Sequence, residues 1–295
     1  MIIEEIRNYL KEMGLPSQDN YDLPTSNKTF PDGAHFRVEA LPMKIKDYET
    51  VFSLCDKYDF VVNKITDITG IMFDSDEVLL KKLGMARQRG VEVMMAPGGG
   101  ERAHDISQQF ALNKIAHGKI RGMDQVTYAI RHMLRAVELG CRGFLMYDEG
   151  LLWIACEMRE EGRLPSNTKF KVSANISIAN AAGIKFWFNL LKPGDSINPI
   201  RDLTLPMIAS MREVTDNPLD LHIFWGDSIV RVMDSPEIVR VGSPVYLKNA
   251  MRASEEDRLL MSMRSVEEIK KYYHEAKQSK TGLKDSCIPE KPRVK

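Results

Sequence analysis

From His35 onward, short runs rich in β-branched and aromatic residues alternate with helical patterns at nearly even spacing. Such alternation implies parallel strands joined by crossover helices. The candidate strands are His35 to Leu41, Phe60 to Thr66, Val91 to Pro97, Cys141 to Asp148, Lys169 to Ile176, Asp195 to Ile200, Leu219 to Trp225 and Ser243 to Lys248. Helical patterns fall between them. Asp74 to Arg89 stops at Gly90, Met123 to Leu139 at Gly140, and Leu151 to Glu161 at Gly162, each a normal helix stop. Leu203 to Val214 follows Asp202 as N-cap, and Ser254 to Ala276 is the last and longest. Eight strands with helical crossovers is the count for a closed (β/α)8 barrel of the TIM type. An open doubly wound sheet is the alternative, because the sixth strand is weak and contains Pro199.

The first 30 residues read as an amphipathic helix and a proline-containing arm, residues 31–278 as the barrel, and residues 279–295 as a flexible basic tail. The start lacks a basic head followed by an unbroken apolar core, and no apolar run approaches the roughly 20 residues of a membrane span. Lysines and arginines equal aspartates and glutamates at 41 each, so nothing draws the whole chain to nucleic acid or an acidic membrane. The four cysteines, Cys55, Cys141, Cys156 and Cys287, are scattered, without a CxxC pair. The expectation is free thiols in a cytoplasmic protein.

Strand parity nominates the site. Phe36 and Val38 pack on helices, so Arg37 and Glu39 point into the barrel. By the same argument Lys171, Ser173 and Asn175, then Asp220 and His222, then Tyr246 and Lys248 face inward, whereas Lys64 is ambiguous. So many polar groups exceed what packing requires, since Val, Ile and Leu usually fill such an interior. A structural ion-pair network is one reading, and a site is the other. Active sites of this fold gather at the carboxyl ends of the strands, which favours Glu39, Asp148, Glu149, Asn175, Asn198, His222 and Lys248. Arg37 and Lys171 lie deeper, where either can orient Glu39.

Several chemistries fit this set. Glu39, Asp148 and Glu149 are candidate acid–base carboxylates with Lys171 beside them, although one of Asp148 and Glu149 is expected to cap the following helix. Arg37, Asn175, Asn198, His222, Tyr246, Lys248 and Arg102 are candidate substrate-binding residues. Arg102 stands beside the run Pro97-Gly98-Gly99-Gly100, which suits an anion nest or a hinge. Glu39, Asp148 and His222 together would suit a divalent metal. Lys171 or Lys248 would form a Schiff base if its amine were desolvated.

The runs FPDGAHFRVEALP, DITGIMF, YDEGLLW, KFKVSANIS and SPEIVRVGSPVYLK, from Phe30 to Lys248, resemble a short, single-domain subgroup of the U-32 peptidase family. The resemblance implies a barrel, a peptidase-like activity and a cytoplasmic protein, and it carries Arg37, Glu39, Asp148, Glu149, Lys171, Tyr246 and Lys248 as members of matching runs. The family's cysteine-containing block is absent, so no iron–sulfur cluster is expected. The resulting expectation is acid–base hydrolysis of a small polar, anionic or peptide-like substrate. The alternatives are a lyase or isomerase using a Schiff-base lysine, and a non-catalytic ligand-binding or scaffold barrel. Expected partners are a small molecule or peptide and a second copy of the chain met through the N-terminal arm, with no nucleic acid and no membrane.

Overall fold

The computed structural model describes residues 2–69, 71–98, 119–223, 234–249, 254–273 and 278. Arg102, the glycines after Gly98, Trp225, Cys287 and the tail 279–295 lie outside the described residues. Eight parallel strands close into a barrel in sequence order: β1 Phe36–Ala40, β2 Lys64–Asp67, β3 Glu92–Met95, β4 Gly143–Met146, β5 Lys169–Val172, β6 Ser196–Ile197, β7 Leu219–Ile223 and β8 Val245–Asn249. Helix α1 (Ile3–Glu12) precedes the barrel. Helices α2 (Ile45–Tyr58), α3 (Asp76–Gln88), α4 (Gly122–Glu138), α5 (Glu149–Glu160), α6 (Ala181–Phe188), α7 (Leu205–Glu213), α8 (Ser235–Gly242) and α9 (Glu255–Tyr272) follow the strands in turn. The alternation read from the sequence is thus a (β/α)8 barrel and not an open sheet. The sixth strand is only two residues long, yet it pairs with both neighbours, through Lys171↔Ser196 and Ile197↔Leu219.

The strand pleat sorts the side chains as parity requires. Phe36, Val38, Ile65, Val93, Phe144, Phe170, Val172, Leu219, Leu221, Val245 and Leu247 belong to one continuous apolar shell shared with the helices. The interior carries the alternate residues. Burying that shell drives closure, since each buried Val, Leu, Ile or Phe side chain contributes roughly 1.5–3 kcal/mol.

Helix boundaries follow capping chemistry. Asp148 is the N-cap of α5, its Oδ1 accepting from Leu151 N at 2.9 Å. Helix α7 starts at Leu205 with Thr204 in the N-cap position, two residues later than the sequence suggested, because Pro206 suits the first helical turn. Helix α9 ends at Tyr272.

The arm folds back on its own barrel. Lys185 of α6 donates to Met13 O at 2.7 Å, Asn20 N donates to Pro206 O at 3.1 Å, and Ser26 N donates to Arg240 O at 2.7 Å. The arm then seals the amino-terminal end of the barrel. Phe30 meets Tyr246 edge to face with ring centres 4.9 Å apart, and the Arg37 guanidinium lies 4.0 Å above the Phe30 ring. Cys55, Cys141 and Cys156 are free and buried, and burial raises their thiols to about 11, 11 and 12. No helix among the described residues is long and apolar enough to cross a membrane.

Candidate active site

The barrel interior is charged in two tiers. In the lower tier, Glu92 accepts from Tyr246 Oη at 2.9 and 2.7 Å and from Arg37 Nη1 at 3.2 Å, and Arg37 Nη2 lies 3.3 Å from Asp32 on the sealing turn. Lys64 Nζ sits 3.3 Å from the centre of the Tyr246 ring, donates to Ser196 Oγ at 3.1 Å and lies 3.5 Å from Asp220 Oδ1. Arg37 and Tyr246, read from the sequence as substrate-binding, are therefore placed far from the carboxyl-terminal rim. Their partners there are Glu92, Asp32 and Phe30.

The upper tier centres on Lys171. Its Nζ donates to both carboxylate oxygens of Glu39 at 2.6 Å, lies 3.0 Å from Asp220 Oδ2 and donates to Thr66 Oγ1 at 3.2 Å. The inward orientation of Glu39 and Lys171 from facing walls is what strand parity predicted. Burial opposes charge on Lys171, but Asp220 and Glu39 overcome it and hold the ammonium above its ordinary value. Burial likewise opposes charge on Asp220, and Lys171 and Lys64 overcome it, so this carboxylate stays below its usual range. Both are fixed ions.

Lys248 differs. Its Nζ is 3.6 Å from Glu39 Oε1 and donates to Asn198 Oδ1 at 3.4 Å, both long contacts. Burial and then the Lys171 charge depress the amine to about 7, against the opposing pull of Glu39 and Asp220. A charge inventory says the same. The barrel interior holds four cations, Arg37, Lys64, Lys171 and Lys248, against three carboxylates, Glu39, Glu92 and Asp220, while the buried Asp67 of β2 turns to the helix side, where it meets Lys82 and Tyr48. A fourth carboxylate, Asp32, is 38% exposed at the opposite end, where Arg37 takes it. The surplus cation is the one nearest the rim, and losing its proton balances the interior.

His222 meets the same Asn198 oxygen. Its Nε2 is 3.2 Å from Asn198 Oδ1, while Asn198 Nδ2 donates to Asp220 O at 2.7 Å. An amide oxygen only accepts, so Nε2 carries the hydrogen and donates. Burial, with Lys248, Arg201 and Lys171 nearby, pushes the imidazole well below its ordinary value, so His222 is neutral.

The remaining sequence candidates fall elsewhere. Asp148 gives one oxygen to the α5 cap and the other to Ile120 N at 3.2 Å, which makes it a structural acceptor. Glu149 lies in the exposed first turn of α5, paired with Lys119. Asn175 occupies the 3-10 turn Ala174–Ile176 just beyond β5. The metal set is not assembled. Glu39 is taken up by Lys171 and Asp148 by two backbone amides, and the described residues contain no group of three or more His, Cys, Asp or Glu placed to hold a metal ion. Sequence reasoning missed Glu92 and Arg201 and left the direction of Lys64 open. The alternation Val91, Val93, Met95 against Glu92 and Met94 was the available signal for the first of these.

No protein-family profile matches the sequence, and no curated protein matches it. Among solved structures, the chain is similar to the YdjI aldolase from Escherichia coli K12, with a TM-score of 0.45 and 12% identity over 92% of this chain and 93% of that one. It is also similar to a candidate deoxyribose-phosphate aldolase from Coccidioides immitis, with a TM-score of 0.43 and 11% identity over 90% of this chain and 98% of that one.

Proposed function

We propose that this barrel is an imine-forming lyase or isomerase in which Lys248 is the nucleophile. The observation that carries the reading is the surplus amine: Lys248 is buried at the carboxyl end of β8, pushed down to about 7, and held by contacts no shorter than 3.4 Å. A neutral amine adds to a carbonyl carbon, the carbinolamine loses water, and the protonated imine draws electrons from the adjacent carbon. A bond to that carbon, C–C or C–H, then breaks more easily. Glu39 at 3.6 Å lies beside the cationic imine, and His222, which reaches the same volume through Asn198, is the group for the proton transfers. Of the two lysines nominated from the sequence, Lys171 is a locked cation and is assigned to positioning.

Hydrolysis has less support. Of its three carboxylates, Asp148 and Glu149 belong to α5, and both oxygens of Glu39 accept from Lys171. The test is borohydride reduction in the presence of a small carbonyl compound, read by peptide mass spectrometry. The expected result is one reduced adduct on Lys248, absent in Lys248→Met. Adducts confined to exposed lysines, or no adduct at all, would sink the proposal.

A further inference from the structure

Two chemically different surfaces lie at the carboxyl-terminal half of the barrel. Past the ends of β5 and β6, a recess of about 280 Å³ is lined, among the described residues, by Ala174, Asn175, Ile200, Arg201 and Asp202. That is room for about nine water volumes, the scale of a small metabolite. The Asn175 amide nitrogen is buried there without a hydrogen-bond partner among the described residues, a donor lacking its acceptor. Arg201 stands three residues beyond Asn198 in the sequence and is close enough for its charge to act on both Lys248 and His222. On β3 and β4 and just past their ends, Met94, Ala96, Leu145 and Tyr147 form a separate apolar cluster, with Ile68 packed against it. The interior carboxylates Glu39 and Asp220 lie below, held by Lys171 and Lys64.

The lining therefore includes an amide donor that lacks an acceptor among the described residues and a guanidinium, and Asp202, exposed to solvent, is the only carboxylate lining the recess among the described residues. A guanidinium and an amide N–H are complementary to a carboxylate or phosphate. Building on the imine reading, we infer that the substrate is a carbonyl compound bearing an anionic group, a carboxylate or a phosphate, held by Asn175 and Arg201 with its carbonyl at Lys248. Its carbon frame lies toward Met94 and Leu145. Arg201 and Asn175 are the residues that set specificity.

The experiment is borohydride trapping on the full chain with three probes of similar size: pyruvate, dihydroxyacetone phosphate and the uncharged hydroxyacetone. Adduct at Lys248 is quantified against probe concentration. The expected result is half-saturation about tenfold or more lower for at least one anionic probe than for hydroxyacetone, the scale of one charge-assisted hydrogen bond. Arg201→Gln should collapse that ratio toward unity, and Asn175→Ala should reduce it. Preference for pyruvate identifies a carboxylate, and preference for the phosphate ester identifies a phosphate. Equal half-saturation for all three probes, or a ratio unmoved by Arg201→Gln, overturns this inference while leaving the imine reading intact. Absence of Lys248 adduct with every probe overturns the imine reading. Calorimetry of pyruvate and of dihydroxyacetone phosphate on Lys248→Met then judges the recess alone. Saturable binding lost in the Arg201→Gln double variant supports the anion site, and no binding overturns it.

Discussion

Glu39→Gln tests the electrostatics of the barrel directly. Lys171 Nζ is 2.6 Å from both Glu39 oxygens. At an effective dielectric of about 20, a unit pair at that distance attracts by roughly 6 kcal/mol. Glutamine removes the charge but keeps an acceptor, recovering roughly 1.5–3 kcal/mol of hydrogen bond to a charged donor. Lys171 also retains Asp220 at 3.0 Å and Thr66 at 3.2 Å, so it is weakened rather than stranded. The expected net loss is about 3–4.5 kcal/mol, within the range for breaking a buried pair. Thermal unfolding should register it as a fall of about 5–15 °C in Tm for a domain of this size. A double-mutant cycle with Lys171→Met separates pairing from general disruption, because the double variant should be less destabilised than the sum of the singles by about 0.5–3 kcal/mol. A loss below about 1 kcal/mol with additive singles would refute the pairing.

Other outcomes follow from the same geometry. The rate of borohydride-trapped adduct formation at Lys248 should rise with pH through about 7 and then level off, because the free amine is the nucleophile. A midpoint near the ordinary lysine value would contradict a depressed amine. Asp148→Ala should cost about 1–2 kcal/mol in denaturant melts, as expected for a lost helix cap, and leave Lys248 labelling of the folded protein unchanged. Asp195→Asn should cost more, about 3–5 kcal/mol, because Arg159 loses the buried carboxylate it meets at 2.8 and 2.9 Å. Labelling at Lys248 should again be unaffected, since that pair lies outside the barrel interior.

Most of the architecture was legible from periodicity. Strands with clean alternation, FRVEA and LDLHI, gave both their positions and their inward residues. Parity separates inside from outside, but it says nothing about depth, which depends on how the strands stagger around the barrel. That is why Arg37 and Tyr246, inward-facing and read as substrate-binding, proved to be partners of Glu92 in the lower tier. Asp148 shows a different limit: an acid at the end of a strand is also an acid at the start of a helix, and the cap took it. Arg201 lies beyond the pleat of β6, where parity no longer applies, and only the folded chain brings its charge close to Lys248. The depressed amine of Lys248 was equally hidden, because it depends on a count of interior charges that requires every strand to be oriented first.

The ionic core then acquires a purpose beyond stability, since apolar side chains of similar volume usually serve stability at least as well. Lys171 is a cation fixed between two carboxylates, and after burial its charge is the largest influence depressing Lys248. Replacing it with methionine removes that repulsion and leaves Glu39 and Asp220 with a surplus of negative charge, with Lys248 beside them. Both changes favour the ammonium form, so the Lys248 midpoint should climb from about 7 toward the ordinary lysine value. Each unit of that climb corresponds to about 1.4 kcal/mol and lowers the trapping rate roughly tenfold at a pH below both midpoints. Lys171→Arg restores a fixed cation and should return the midpoint toward about 7, even if its bulk costs stability. A structural role alone would lower Tm in both variants and leave the midpoint unmoved in whatever fraction stays folded. If the Lys171→Met profile keeps its midpoint near 7 while the protein remains folded, Lys171 does not position the amine electrostatically, and burial alone must account for the depressed Lys248.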